Sequence, residues 1–244
     1  MMAARKKKAT AKNAAAKATV GKQVAQAATS IGRRIDERDP QSWLYLDPDG
    51  APEEGWHYGV LRKTYLERVN SAYEFGWRKS HVGPDSKDAD PCIWSPNADR
   101  VEVLLPPHAS DELAEPVALL RAVDRYASAD EKALLTCLTL PMRDIPHIHL
   151  GWERARSFSF RLTRERELAV VLVQHCPALA GSGFAPHAHA LIVPRRIGRY
   201  GLRQALYDRP LTNDDGQSLL YEMWSAHCEA FCPNAIVHAP GATI

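Results

Sequence analysis

The sequence has no apolar run near the ~20 residues that cross a bilayer, so it carries no membrane segment. Its N-terminus is basic but lacks the apolar core of a secretory signal. Cysteine is sparse and unpatterned: Cys92, Cys137, Cys176, Cys228 and Cys232 form no Cys-x-x-Cys pair, and their number is odd. That argues against both a zinc ribbon and a disulfide framework. The expected compartment is therefore reducing and cytoplasmic. Internal repeats are absent too. What remains is ordinary for a globular protein: 45% hydrophobic and 25% charged residues, on a chain of 244 residues, enough for one domain with a real core.

The net charge of +2 hides an uneven distribution, because no acid precedes Asp36. Residues 1–40 read as a low-complexity, disordered tail of Ala, Lys, Thr and Gln, with too few large apolar groups to offset the entropy of ordering. It opens on Arg5, Lys6, Lys7 and Lys8. Such a run neutralises phosphates without reading sequence; the competing reading is a solubilising tail without a partner. Residues 41–244 are the expected folded domain.

Within that domain, Leu61, Tyr65, Val69 and Tyr73 recur at helical spacing. They predict a helix over about Val60–Phe75, capped near Gly76. Arg100–Pro107 alternates like a strand. Ser110 is placed to cap a helix from Asp111, with Pro116 within its first turns or splitting it. Ser128 with Glu131 matches a capping box, and the segment closes as a strand through Leu140-Pro141. A helix is expected from Trp152 to about Arg166, and another over Ser218–Phe231.

The most informative stretch is Leu168–Arg196. Two apolar runs flank a loop rich in Pro and Gly, which predicts a hairpin of two buried strands. His175 closes the first run; His187 and His189 open the second. Alternation puts His187 and His189 on one face, and an antiparallel partner brings His175 to them. Three imidazoles at a strand end can hold a divalent cation and leave positions open. Their competing reading is surface or satisfied core histidines. The other His-x-His pair, His147 and His149, follows Pro146 and reads as a feature of a loop or helix start.

These residues, in this order, resemble the MobA/MobL plasmid mobilisation relaxases, which are HUH endonucleases. The histidine–hydrophobic–histidine motif is His187-Ala188-His189, within Ala-Pro-His-Ala-His-Ala-Leu-Ile-Val. His175 fits the family's third metal histidine. Ser71-Ala72-Tyr73-Glu74-Phe75-Gly76 stands where the family has its nucleophilic tyrosine, and Leu104-Leu105-Pro106 and Leu140-Pro141 fall in family order. Ala185 replaces a frequent Asn, and the small-residue run before the tyrosine is missing.

The resemblance implies an α/β (α+β) fold, with a central antiparallel sheet that carries the histidine hairpin and is flanked by helices. It implies a DNA strand transferase that nicks single-stranded DNA at a transfer origin. Tyr73 would be the nucleophile, with Tyr65, Tyr200 and Tyr207 as rivals. His175, His187 and His189 would hold magnesium or manganese, with zinc as an alternative. Arg195 and Arg196, expected beside the site, and Arg199 would contact DNA along with Lys6, Lys7 and Lys8. Accessory mobilisation or coupling proteins are the expected partners. Two other readings stand beside this one. One is a degenerate, non-cutting DNA-binding homologue. The other is a histidine-triad nucleotide hydrolase, against which Leu191 occupies the third histidine position of that signature.

Overall fold

The computed structural model describes residues 34–46, 52–83, 89–202 and 206–231. The chain divides into two units, residues 1–36 and 37–244. Every element below belongs to the second, and Lys6, Lys7 and Lys8 lie outside the described residues.

The strands are β1 (Leu44–Tyr45), β2 (His57–Arg62), β3 (Thr64–Tyr65), β4 (Arg68–Val69), β5 (Arg100–Leu104), β6 (Ala133–Pro141), β7 (Ala169–His175) and β8 (His187–Val193). The α-helices are α1 (Ala72–Ser80), α2 (Pro116–Arg125), α3 (Ile148–Arg166) and α4 (Asp214–Ala230). Six strands form one sheet in the order β1-β2-β6-β8-β7-β5, and every pairing in it is antiparallel. The expected hairpin, β7–β8, therefore lies inside the sheet, with β6 on its far side. Away from the histidine end its strands are apolar, Ala169–Val173 and Ala190–Val193, because both faces of the sheet are covered.

Alternation along β8 divides its side chains between the two covers. Ala188, Ala190 and Ile192, with Val170, Leu172, Leu138 and Leu140, pack on Trp152, Phe158 and Leu162 of α3 and Leu220 and Trp224 of α4. His187, His189, Leu191 and Val193 point to the opposite face. Helix α1 lies on that side, packed on β7 and α2. Its N-terminus is held by charge and hydrogen bonds. Ser71 Oγ accepts from the Glu74 amide, and the Asp124 carboxylate accepts from the Ala72 and Tyr73 amides at 2.6 and 3.1 Å. An anion at a helix N-terminus satisfies orphan donors and opposes the helix dipole.

The helix expected over Val60–Phe75 does not form. Residues 57–62 pair with β6 instead, and β3 and β4 make a small ribbon. Leu66 and Glu67 turn that ribbon with positive φ, 46° and 70°. Neither is the Gly or Asn that marks such a turn, so the helical spacing went unopposed. The true helix starts only at Ala72, and Val69 faces solvent. The capping box at Ser128 opens no helix either: Ser128 Oγ accepts from the Asp130 amide in a turn, and β6 follows. No described helix is long and apolar enough to cross a membrane.

Candidate metal centre

Sheet register alone assembles the site. His175 stands opposite His187, and Val173 opposite His189. On the other side of β8, Thr139 stands opposite His189 and Pro141 opposite His187. Strand β2 extends the first row, with His57 opposite Thr139. Opposed residues in an antiparallel pair share a face. So His57, Thr139, His189 and Val173 form one row, and Pro141, His187 and His175 form the next.

The three imidazoles converge. Ring centroids are 5.1 Å apart for His175–His187, 4.6 Å for His175–His189 and 4.9 Å for His187–His189. One nitrogen from each lies within 4.8 Å of the others. A cation bound by nitrogens at ~2.1 Å sets them ~3.4 Å apart, so the rings close on an ion by a shift on the order of 1 Å.

The second nitrogen of each ring already has an oxygen partner. His175 Nε2 donates to the Lys79 carbonyl at 2.6 Å, and His187 Nδ1 donates to the Ala185 carbonyl at 3.0 Å. A carbonyl only accepts, so these bonds fix both tautomers and leave the other nitrogen with a lone pair. His189 Nδ1 lies 3.1 Å from Thr139 Oγ1. Outer oxygen partners of this kind orient metal-binding imidazoles.

Burial also keeps the rings neutral. Desolvation pushes His175 down to about 3, lowers His187 and holds His189 well below the ordinary histidine value. The charge of Lys79 acts in the same direction on all three. Neutral imidazole is the form that ligates. The donor set, its tautomers and its protonation state therefore fit a divalent cation.

A cleft of about 800 Å³ opens beside the cluster, lined in part by His57, Thr139, Arg143, Phe184, His187 and His189. Among the described residues no tyrosine lines it. Tyr73 sits in the first turn of α1, and its hydroxyl donates to the Pro91 carbonyl at 2.9 Å. Its ring lies near Trp94 and under the Arg121 guanidinium. The other end of α1 touches His175 through the Lys79 carbonyl, about 9 Å of helix rise from Tyr73. Of the expected site residues, then, the structure gathers the three histidines, while the Tyr73 hydroxyl is engaged by the Pro91 carbonyl.

Comparisons with known proteins bear on the fold. No protein-family model matches this chain, and no curated protein matches it. A solved structure does. It is described as the molecular basis of vancomycin resistance transfer in Staphylococcus aureus, and it is similar over 72% of this chain and 92% of its own, at 19% identity and a TM-score of 0.52. That likeness establishes a shared architecture.

The arginines are not where they were expected. Arg195 follows the far end of β8, six residues past His189, which at strand rise is about 20 Å away. Its guanidinium is buried and donates to the Tyr126 and Leu202 carbonyls, so it ties down the loop after β8. Arg196 and Arg199 are exposed on that loop. His147 and His149 stack on each other at the start of α3, and neither joins the cluster.

Sequence reasoning missed His57, Thr139 and Lys79. His57 alternates with Gly59 and Leu61 at strand period, but a helical reading of the next residues concealed it. Thr139 sits in a strand that was expected, and only register reveals its partner.

Proposed function

We propose that this chain is a metal-dependent DNA strand transferase of the relaxase type, acting in the cytoplasm on single-stranded DNA at a transfer origin, in plasmid mobilisation or conjugative transfer. One observation carries the reading. Three neutral, oriented imidazoles, two of them from a histidine–alanine–histidine motif, converge beside an open cleft. The fold shared with a structure concerned with resistance transfer supports it, as does the order of motifs that resembles the MobA/MobL relaxases.

His175, His187 and His189 would hold the cation, with magnesium or manganese favoured by availability and zinc the alternative. Bound there, it would supply Lewis-acid stabilisation of charge on a phosphodiester. The protein's own groups do the rest. The Lys79 and Ala185 carbonyls and the Thr139 hydroxyl hold the rings in register. The cleft admits the strand. Tyr73 supplies the nucleophile after its hydroxyl leaves the Pro91 carbonyl. The Tyr73 oxygen forms a bond to phosphorus as the bond from phosphorus to a deoxyribose oxygen breaks. The product is a tyrosyl–DNA ester and a free hydroxyl end, and the reverse reaction reseals the strand. Arg196 and Arg199 contact the DNA backbone away from the reacting centre, and Lys6, Lys7 and Lys8 add sequence-independent affinity. Arg195 acts through the loop that it holds. Accessory mobilisation or coupling proteins would deliver the origin.

The engaged hydroxyl of Tyr73 favours a second reading, in which the chain binds DNA without cutting it. One experiment decides. The full chain is incubated with manganese and a random pool of single-stranded DNA, and denaturing gels score covalent adducts. Peptide mapping of the adduct is expected to return Tyr73, and Tyr73→Phe to abolish it. An adduct mapped to Tyr65, Tyr200 or Tyr207 moves the nucleophile there, and no adduct leaves the binding protein.

A further inference from the structure

Phe184 has no role in the chemistry above, yet its ring is exposed in the loop before β8, at 77% of its full area. Leu179 in the same loop is as exposed, but only Phe184 also lines the cleft with His187 and His189. Its position is set by bonds on both sides. The Phe184 amide donates to Ser182 Oγ at 3.4 Å. The Ala185 carbonyl is held by the His187 ring at 3.0 Å, and the Pro186 carbonyl accepts from the Met142 amide at 3.2 Å. Only two residues separate Phe184 from His187, a candidate metal ligand, a backbone span of at most about 11 Å.

The same cleft is lined by Arg143, paired with Glu54 at 2.5 Å. Both side chains are largely exposed, 47% and 81%, so the pair is weak and open to exchange. A phosphate can replace Glu54 on Arg143 at little cost. An exposed aromatic face, an exchangeable guanidinium and a candidate metal centre thus line one cavity. An apolar protein partner would be poorly served by that lining. A single nucleic-acid strand offers a planar base and a phosphate together.

We propose that Phe184 is a stacking platform for one unpaired base of single-stranded nucleic acid, next to the phosphate held at the histidines. The assignment rests on the strand-transferase reading for the identity of the strand, and it deepens that reading by specifying why the strand is single. A base within a duplex has no free face to give the ring, whereas an unpaired base stacks without regard to sequence. Phe184 is a positioning residue. It contacts the substrate away from the bond that breaks.

Binding of labelled single-stranded oligonucleotides to the manganese-loaded full chain tests this, with fluorescence anisotropy as the readout. Phe184→Ala is expected to weaken binding by about 5- to 150-fold, the range for loss of one base–aromatic stack. Phe184→Trp should retain the affinity. Manganese affinity should be the same in all three proteins. An abasic scan locates the stack: at one position, loss of the base weakens the wild type and leaves Phe184→Ala unchanged. Equal affinity of Phe184→Ala and wild type overturns the proposal, as does a loss that no abasic position absorbs. The two readings fail separately. Stacking without any covalent adduct keeps Phe184 as a platform and removes strand transfer. An adduct that forms alike in wild type and Phe184→Ala at limiting DNA keeps strand transfer and removes the platform.

Discussion

Thr139→Val isolates the link between the sheet and the candidate metal. Valine keeps the shape and strand preference of threonine but removes the hydroxyl 3.1 Å from His189 Nδ1. Both residues are nearly buried, at 7% and 5% exposure, so water does not readily replace the lost partner. Two consequences follow. A buried polar atom without a partner costs about 1–3 kcal/mol of stability. Loss of an outer hydrogen bond to a ligating imidazole costs about 10–100-fold in metal affinity, which is about 1.4–2.7 kcal/mol. Thermal unfolding with increasing manganese separates the two. At a manganese concentration 100 times its dissociation constant, the wild type should gain ~2.7 kcal/mol, about 5–11 °C in a chain of this size. The variant should start lower and gain less at every concentration, with its metal response displaced 10–100-fold. An unchanged metal response in Thr139→Val would show that this hydroxyl does not orient His189.

Three other outcomes are expected. Gly216→Ala places a Cβ 2.6 Å from both the Pro210 carbonyl oxygen and the Tyr58 hydroxyl; backbone cannot yield as a side chain does, so denaturant titration should show a loss of at least 1–3 kcal/mol. Asp124→Ala removes the carboxylate from the α1 N-terminus and should cost about 1–2 kcal/mol, with faster amide exchange confined to the start of α1. Burial lowers the His227 pKa, so in the unfolded chain this group binds a proton first on acidification. Its contribution is whole above the unfolded value of ~6.5 and is lost as pH falls towards the folded value. The unfolding midpoint measured from pH 7.5 to 5 should therefore fall less steeply in His227→Gln than in the wild type.

The hairpin and its histidines were legible because both periodicity and chemistry lie on the surface of the text. Two apolar runs, a Pro- and Gly-rich loop and a same-face histidine pair leave few alternatives. The position of β5 and the existence of α2, α3 and α4 followed from the same signals, although α3 begins four residues before Trp152, at Ile148. The region before Tyr73 was not legible, because its apolar residues fit a helix and its turn uses Leu66 and Glu67 in the left-handed region. Only pairing with β6 settles it. The site divides the same way. His175 opposite His187 could be anticipated from a hairpin, but His57 and Thr139 enter through registers between β2, β6 and β8 that no local pattern encodes. Arg195 misled for a related reason: closeness in sequence to His189 became distance along a strand.

The proposed strand transfer at this site requires the three histidines and a divalent cation together. Covalent capture from a random single-stranded pool should be measured with manganese, with magnesium and with a chelator, in the wild type and in His175→Ala, His187→Ala and His189→Ala. The adduct is expected in the metal-loaded wild type and not in chelator, with each variant at least 10-fold reduced while remaining folded by circular dichroism. An adduct that persists in chelator, or that all three variants form as the wild type does, would contradict that requirement.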